Sequence, residues 1–244
     1  MKISLITITY NSSSSIERTL KSISMQDNLK DIENIIIDGN STDNTVDICK
    51  SFAHISKIIA EKDDGIYDAF NKGINQATGD VIGFLNSDDV FIDSRSLTHI
   101  SKAFENNTDC VHGNIIYKNE TGKIFRKWKS SSFFKNSFKN GWMPAHPTFY
   151  CKKSVYDKYG KYNKKYKIAG DFELMLRFYE KHKVNSKFIN KTLVEMKSGG
   201  VSDSGIVSKI QILKEEFDAF KINNIRFNKL FYVLKKALKV REFF

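Results

Sequence analysis

Over the first ninety residues the chain alternates between short apolar runs and stripes of helical period. Residues 3–8 read Ile-Ser-Leu-Ile-Thr-Ile, a strand, and the polar run Asn11 to Ser15 can cap a helix that reaches about Met25. Residues 33–38 enclose Ile35, Ile36 and Ile37 and end in Asp38, which predicts a second, fully buried strand. Ser41-Thr42-Asp43 then opens a helix carrying Val46, Ile48 and Cys49; Asp43 is the better cap, because Asp38 precedes the helix by several residues. A short strand over 55–60, a helix over 67–77 and a buried strand over 81–85 complete the series, and the last strand runs into Asn86-Ser87-Asp88-Asp89. Strands alternating with helices predict an α/β fold with a mostly parallel, doubly wound sheet. In such sheets ligands bind outside the carboxyl ends of the strands. Thr9-Tyr10-Asn11, Asp38-Gly39-Asn40 and Asp88-Asp89 occupy those ends and should converge on one edge.

After Asp109 the pattern changes. Strand-like pieces over 110–117, 123–128 and 148–151 are separated by basic loops, and residues 171–182 read as an amphipathic helix with Asp171 at its start, after Gly170. Residues 205–244 look helical throughout, with one stripe of Ile206, Ile210, Leu213, Phe217 and Phe220 and a second of Phe227, Leu230, Phe231, Leu234 and Leu238. The predicted organisation is a first half over 1–114, a second half of the same domain over 115–204, and a basic amphipathic tail over 205–244.

Composition sharpens this picture in three places. With 244 residues, 41% hydrophobic and 27% charged, the chain has the apolar content of a globular protein, which excludes disorder. The net charge of +11 is concentrated: residues 115–167 carry fourteen Lys/Arg against Glu120 and Asp157. Such a segment suits an anionic partner or is a solvated surface. Cys49, Cys110 and Cys151 are widely spaced and form no metal-binding pattern, so reduced thiols are expected. The first strand is too short for a signal peptide and no run nears the roughly 20 apolar residues that span a bilayer, so an intracellular, non-spanning protein is expected. No GxGxxG follows the first strand and no GxxxxGK[ST] occurs, which removes the dinucleotide and P-loop readings.

Candidate chemistry lies in the carboxylates. Adjacent acids at the end of a buried strand are costly unless a cation neutralises them, and Mg²⁺ or Mn²⁺ bridging a diphosphate would do so; a turn or helix cap is the competing reading. Asp38, next to Gly39, can accept a hydrogen bond from a base or a ribose, or can serve as a turn residue. Asp171 can act as a general base or favour the dipole of its helix.

Together, Thr9-Tyr10-Asn11, the run Ile37 to Thr45, the run Glu61 to Gly73, Gly79-Asp80 and Phe84 to Asp89 resemble glycosyltransferase family 2 with the GT-A fold. The run Glu61 to Gly73 is similar to bacterial members that build capsule, O-antigen and colanic-acid-type polysaccharides. Shorter matches, at His146-Pro147-Thr148, Gly170 to Leu174 with Arg177, and Gly199 to Ser202, extend the resemblance to about residue 200. The resemblance implies that Thr9, Tyr10, Asn11, Asp38, Asn71, Lys72 and Asp88 bind a nucleotide-sugar, and that Asp88 and Asp89 hold Mn²⁺ or Mg²⁺. It further implies that Asp171 is an inverting base, and that His146, Gly199 and Gly200 lie near the diphosphate or acceptor. Three positions depart from the family pattern: Asn86 replaces an acid, Phe70 replaces an arginine whose nucleotide contact Lys72 partly takes over, and Gly170 replaces an acid.

The implied activity is metal-dependent, inverting transfer of a sugar, from UDP-sugar in the favoured reading, to a saccharide carried on polyprenyl diphosphate. The seven Lys/Arg of 221–244 would draw the tail to anionic lipid at the inner face of the cytoplasmic membrane; packing of its apolar stripe on the catalytic domain or a second subunit is the alternative. Two other classes compete. A nucleic-acid-binding protein has only the net charge in its favour and the acidic strand ends against it. A metal-dependent nucleotidyltransferase would need a nucleoside triphosphate.

Overall fold

The computed structural model describes residues 1–105, 107–119, 121–197 and 205–240. Four parallel strands form its first half: β1 (Ile3–Thr9), β2 (Ile32–Asp38), β3 (Ile55–Ala60) and β4 (Val81–Phe84). The sheet continues through β5 (Val90–Phe91), β6 (Cys110–Lys118), β7 (Ile124–Trp128), β8 (Tyr150–Lys152) and β9 (Ser186–Lys197). Its order is β3-β2-β1-β4-β8-β6-β9-β5, with β7 paired to β6. Antiparallel β8 sits between β4 and β6, so β6 and its parallel neighbour β9 run in the direction of β4. The α/β architecture expected from the sequence, mostly parallel with flanking helices, is what the chain adopts.

Alternation along the strands sends successive side chains to opposite faces and thereby makes two cores. Ile3, Leu5 and Ile36 point to a face covered by α1 (Ile16–Ser24), α2 (Thr45–Lys50) and α4 (Ser96–Ala103). Helix α1 buries Ile16, Leu20 and Ile23, one side of a 3.6-residue period. Ile6, Ile35 and Ile37 point to the other face, under α3 (Ile66–Gln76), α5 (Lys153–Tyr159) and α6 (Gly170–Leu176). Gly83 is required where β4 meets β8, because a Cβ there would overlap the buried Tyr150 ring at 1.9 Å.

Besides the short β5, α4 and α5, which the sequence reading did not contain, the structure departs from it in three places. The helix expected over 171–182 is α6 followed by one wider, π-type turn, Arg177–Lys181. The expected continuous tail helix is two, α7 (Ile206–Ile222) and α8 (Lys229–Val240), separated where Asn224 takes a left-handed backbone, φ 56°. The twelve-residue β9 was not anticipated at all. Register shifts against β6 break its period, and Lys187, Asn190 and Lys191 lie exposed along it, so it shows no clean alternation.

The tail rests on the second core: Ala219, Phe220 and Tyr232 are buried among Phe172, Phe178 and Tyr179. Phe172 meets Phe220 edge-on at 5.6 Å, and Tyr232 meets Phe220 at 5.4 Å. Leu230, Phe231, Leu234 and Leu238 on the opposite side of α8 are exposed. No described helix is long and apolar enough to cross a membrane.

Candidate active site at the carboxyl edge of the sheet

Parallel strands deliver their last residues to a common edge, and β1, β2 and β4 end there in Thr9, Asp38 and the Asn86 to Asp89 loop. Asp38 is fully buried. Its carboxylate accepts hydrogen bonds from the Thr9 hydroxyl at 2.7 Å, the Ser41 N–H at 2.7 Å and the Ser41 hydroxyl at 2.5 Å. Asn11, with left-handed φ 47°, is fixed from both sides: the Ser41 hydroxyl accepts from its N–H, and its own amide oxygen accepts from the Thr42 N–H at 2.9 Å. Asp43 accepts from the Thr45 N–H at the start of α2 and from the Ser13 N–H across the crevice. These bonds, with that of the Thr45 hydroxyl, hold its carboxyl far below the ordinary carboxylate range. Tyr10 is 64% exposed, and its ring lies beside Gly39, where an added Cβ would also press on Asp63 at 2.7 Å. The result is a locked polar floor with one free aromatic face, a shape that suits a flat base.

The loop after β4 joins this floor through the Ser87 hydroxyl, which donates to that of Ser12 at 2.9 Å. Asp89 is 1% exposed and neither of its carboxylate oxygens has a hydrogen-bond partner. Burial first, and the neighbouring charge of Asp88 second, push its pKa well above the ordinary range; the charge of Arg18 and the nearby Asn86 side chain oppose them. An orphaned buried carboxylate beside a second, half-exposed one is a donor set suited to a hard divalent cation. Among the described residues no third His, Cys, Asp or Glu joins them, so the remaining ligands would come from phosphate and water.

Two of the residues assigned to the nucleotide-sugar make protein contacts. The Asn71 amide donates to the Tyr162 carbonyl and accepts from the Tyr162 N–H, both at 2.9 Å, which ties α3 to the loop before α6. The Lys72 ammonium donates to the Lys62 carbonyl and pairs with Glu61 at 2.9 Å.

Asp171 reaches the same edge through contacts remote in sequence. Helix α3 begins just past the end of β3, and Tyr67 in its first turn inserts its hydroxyl into the start of α6. That hydroxyl donates to the Ile168 carbonyl at 2.5 Å and accepts from the Gly170 N–H at 2.7 Å. A Cβ on Gly170 would lie 2.6 Å from the Tyr67 ring, so with the tyrosine in this place the position has room only for glycine. His146 lies in a 3₁₀ turn, His146–Thr148, just before β8, and its Nδ1 is 3.5 Å from Asp171 Oδ2. Burial raises the Asp171 pKa, and the charge of His146 opposes that rise. A raised carboxyl with a fifth of its side chain still accessible has the environment and the access that a general base requires.

Sequence reasoning overlooked Tyr67, although it stands inside the run Glu61 to Gly73 that carried the resemblance. It also gave Ser41, inside the run Ile37 to Thr45, no part in holding Asp38, and it overlooked the tail acids Glu215 and Glu216, which no motif marks. Glu216 is paired with Lys236 at 2.5 Å behind α6. Gly199 and Gly200 lie outside the described residues.

The model of the family described as glycosyl transferase family 2 matches residues 4–180. A PGL/p-HBAD biosynthesis glycosyltransferase of Mycobacterium tuberculosis is 26% identical over 212 residues, 84% of this chain and 80% of that protein. An uncharacterized glycosyltransferase of the same species is 41% identical over 93 residues, 36% of this chain and 34% of that protein. Among solved structures, Staphylococcus aureus TarS 1–349 in complex with UDP-GlcNAc superimposes with a TM-score of 0.72 at 19% identity, covering 95% of this chain and 69% of that one. The mannosyltransferase PcManGT of Pyrobaculum calidifontis, in complex with GDP-Man and Mn²⁺, gives 0.67 at 15% identity, covering 97% of this chain and 68% of that one. The crevice at the strand ends, the sheet that forms it and these similarities converge: the chain belongs to glycosyl transferase family 2 and is a glycosyltransferase of GT-A fold.

Proposed function

We propose that the enzyme transfers a sugar from a nucleotide-sugar, a UDP-sugar in the reading we favour, to a hydroxyl of a lipid-linked saccharide with inversion at the anomeric carbon, in the assembly of a bacterial surface polysaccharide. The observation that carries this reading is the pairing, on one sheet edge, of an unpartnered buried carboxylate at Asp89 with an accessible, raised carboxyl at Asp171. Two acids in different environments take different tasks. Thr9, Tyr10, Asn11, Asp38 and Asp88 form the donor floor in this reading, with Tyr10 stacking on the base and Asp88 reaching the ribose. Asn71 and Lys72 act from α3, by shaping the wall of the crevice.

Asp88 and Asp89 would hold Mn²⁺ or Mg²⁺, which when bound supplies Lewis-acid stabilisation of the departing nucleoside diphosphate. Asp171 takes the proton of the acceptor hydroxyl as that oxygen forms its bond to the anomeric carbon and the bond to the diphosphate oxygen breaks. A single in-line displacement inverts the configuration. His146, against Asp171 Oδ2, restrains the carboxylate and lines the acceptor side; Gly199 and Gly200 belong to this acceptor and diphosphate region in the same reading.

The outer side of α8 supports contact with an anionic membrane, where a lipid-linked acceptor resides: its exposed Leu230, Phe231, Leu234 and Leu238 are accompanied by Lys229 and Lys235. Flotation with anionic liposomes should lose the protein when Leu230 and Leu234 are both replaced by Asp; unchanged flotation would remove the membrane from the proposal.

The donor reading is tested by thermal stabilisation with a panel of UDP- and GDP-sugars, with and without Mn²⁺, on wild type and Asp89→Ala. A ligand at 100 times its Kd stabilises by about 2.7 kcal/mol. Wild type should gain this in a metal-dependent way and Asp89→Ala should not. Stabilisation by nucleoside triphosphates alone would overturn the proposal.

A further inference from the structure

Helix α7 lies beyond the residues that match the family model, which end at 180. It nevertheless reaches the catalytic helix. The Glu215 carboxylate, 6% exposed, accepts from three successive backbone N–H groups: Lys167 at 3.0 Å, Ile168 at 3.0 Å and Ala169 at 2.7 Å. Gln211 Nε2 supplies a fourth bond at 2.8 Å. The next two N–H groups, of Gly170 and Asp171, point to the Tyr67 hydroxyl at 2.7 and 3.4 Å, and the N–H of Phe172 is bound by Asp171 itself at 2.8 Å. Only at Glu173, whose N–H donates to the Ala169 carbonyl, does the helix supply its own acceptors. The orphan donors that begin any helix are thus satisfied here by Tyr67 and Glu215, from elsewhere in the chain, and by Asp171 itself, and Glu215 holds the segment that leads into Asp171.

The same helix grips α6 a second time. Asn223, at its end, donates through Nδ2 to Glu173 Oε1 at 3.0 Å, and Glu173 in turn holds Arg177 at 2.9 Å. Contacts at both ends leave α6 little freedom to shift along or rotate against α7. Both anchors end on a carboxylate, but the one at the base end takes three backbone N–H groups against a single amide here, so it is the stronger of the two.

We infer that Glu215 is a positioning residue for the transfer reaction: its carboxylate fixes the backbone of residues 167–169 and through it the place of the Asp171 carboxylate at the acceptor side of the crevice. The inference rests on Asp171 being the base. General-base catalysis needs the carboxylate within hydrogen-bond reach of the hydroxyl, so a shift of about 1 Å can lower the rate on the order of 10²-fold. The donor floor stands on β1, β2 and β4, and among the described residues the hydrogen bonds of Glu215 go to residues 167–169 and Gln211 instead, so donor affinity should not follow.

The test uses the full chain with Glu215→Gln, which keeps the size but removes the charge and one acceptor oxygen, and Glu215→Ala. Hydrogen exchange of peptides spanning 167–171 should accelerate at least about tenfold in both variants, while peptides of β1 and β2 keep their protection. Turnover of whichever panel nucleotide-sugar wild type consumes should fall roughly 10- to 100-fold, with its KM and the Kd of UDP with Mn²⁺ within about twofold of wild type. Unchanged exchange at 167–171 would overturn the clamp. Accelerated exchange with wild-type turnover would overturn the positioning role. Asp171→Asn is measured alongside: if it turns over like wild type, the base assignment is what fails, and the exchange data still decide whether Glu215 holds the segment.

Discussion

In the proposed assignment the crevice has a donor side and a base side, and the two are built in different ways. The donor side is made from strand ends and the loops directly after them: Thr9, Asn11, Asp38, Ser41 and Asp43 lie within two βα connections and bond to one another across neighbouring strands. The base side is assembled from four distant places, Tyr67 on α3, His146 before β8, Asp171 on α6 and Glu215 on α7. A floor made of adjacent strand ends is as rigid as the sheet, whereas a carboxylate held by crossing contacts is only as fixed as the packing of three helices and a turn. Donor binding should therefore tolerate damage that abolishes transfer.

The sharpest way to break the comparison is Asp171→Asn. Turnover should fall roughly 10²- to 10⁴-fold, the range of general-base catalysis, with nucleotide affinity unchanged by calorimetry; a parallel loss of affinity would show that the two sides are not separable.

Acid should reveal the same asymmetry. His112, in the core beneath the base side, donates from Nε2 to the Ser131 carbonyl and accepts at Nδ1 from the Tyr179 hydroxyl, and it stacks on Phe188 at 5.5 Å. Burial lowers its pKa to about 4, against a weaker opposing effect of the bond to Ser131. A histidine depressed in the folded state contributes stability that is present above its unfolded pKa near 6.5 and is lost as pH falls toward 4, at most roughly 3 kcal/mol. On the donor half, burial of Glu33 is outweighed by its bonds from Ser4, Thr78 and Lys2, and its pKa is about 2, so its contribution is lost only below about pH 4.5. Melting temperature should therefore drop between pH 6.5 and 4.5 in wild type and stay flatter in His112→Gln; equal slopes would remove His112 as the cause.

The smallest effect belongs to Thr9→Val. It removes one of three hydrogen bonds to the buried Asp38 carboxylate and should cost about 2 kcal/mol in a urea titration, with the midpoint moved and the slope unchanged. A loss under about 0.5 kcal/mol would mean that Ser41 alone satisfies the carboxylate.

How much was readable follows from this construction. The Ile-rich strands and the acids that end them announce themselves, since a buried parallel strand must be apolar and must stop where polar groups begin. Even there the structure assigns work that spacing does not show: the Asp38 carboxylate is engaged with Thr9 and Ser41, and Asn71 is bound to the Tyr162 backbone. Gly170 read in isolation is a missing acid, and its reason becomes visible only with the Tyr67 ring against it. The amphipathic stripe of the tail was legible, but which of its residues turn inward was not: Tyr232 is buried while its neighbours Phe231 and Val233 are exposed.

By itself the amino-acid sequence determined the alternation of strands and helices, the parallel sheet, and the acidic loops along its carboxyl edge, because each follows from the period of burial within a dozen residues. Only the tertiary structure decided which carboxylate stands without partners, which helix start is held by a tyrosine 103 residues away and a glutamate 46 residues away, and that the tail packs on the core around α6. Those outcomes depend on where backbone donors and buried charges find acceptors after the chain has closed on itself, and that information is held between segments rather than within any one of them.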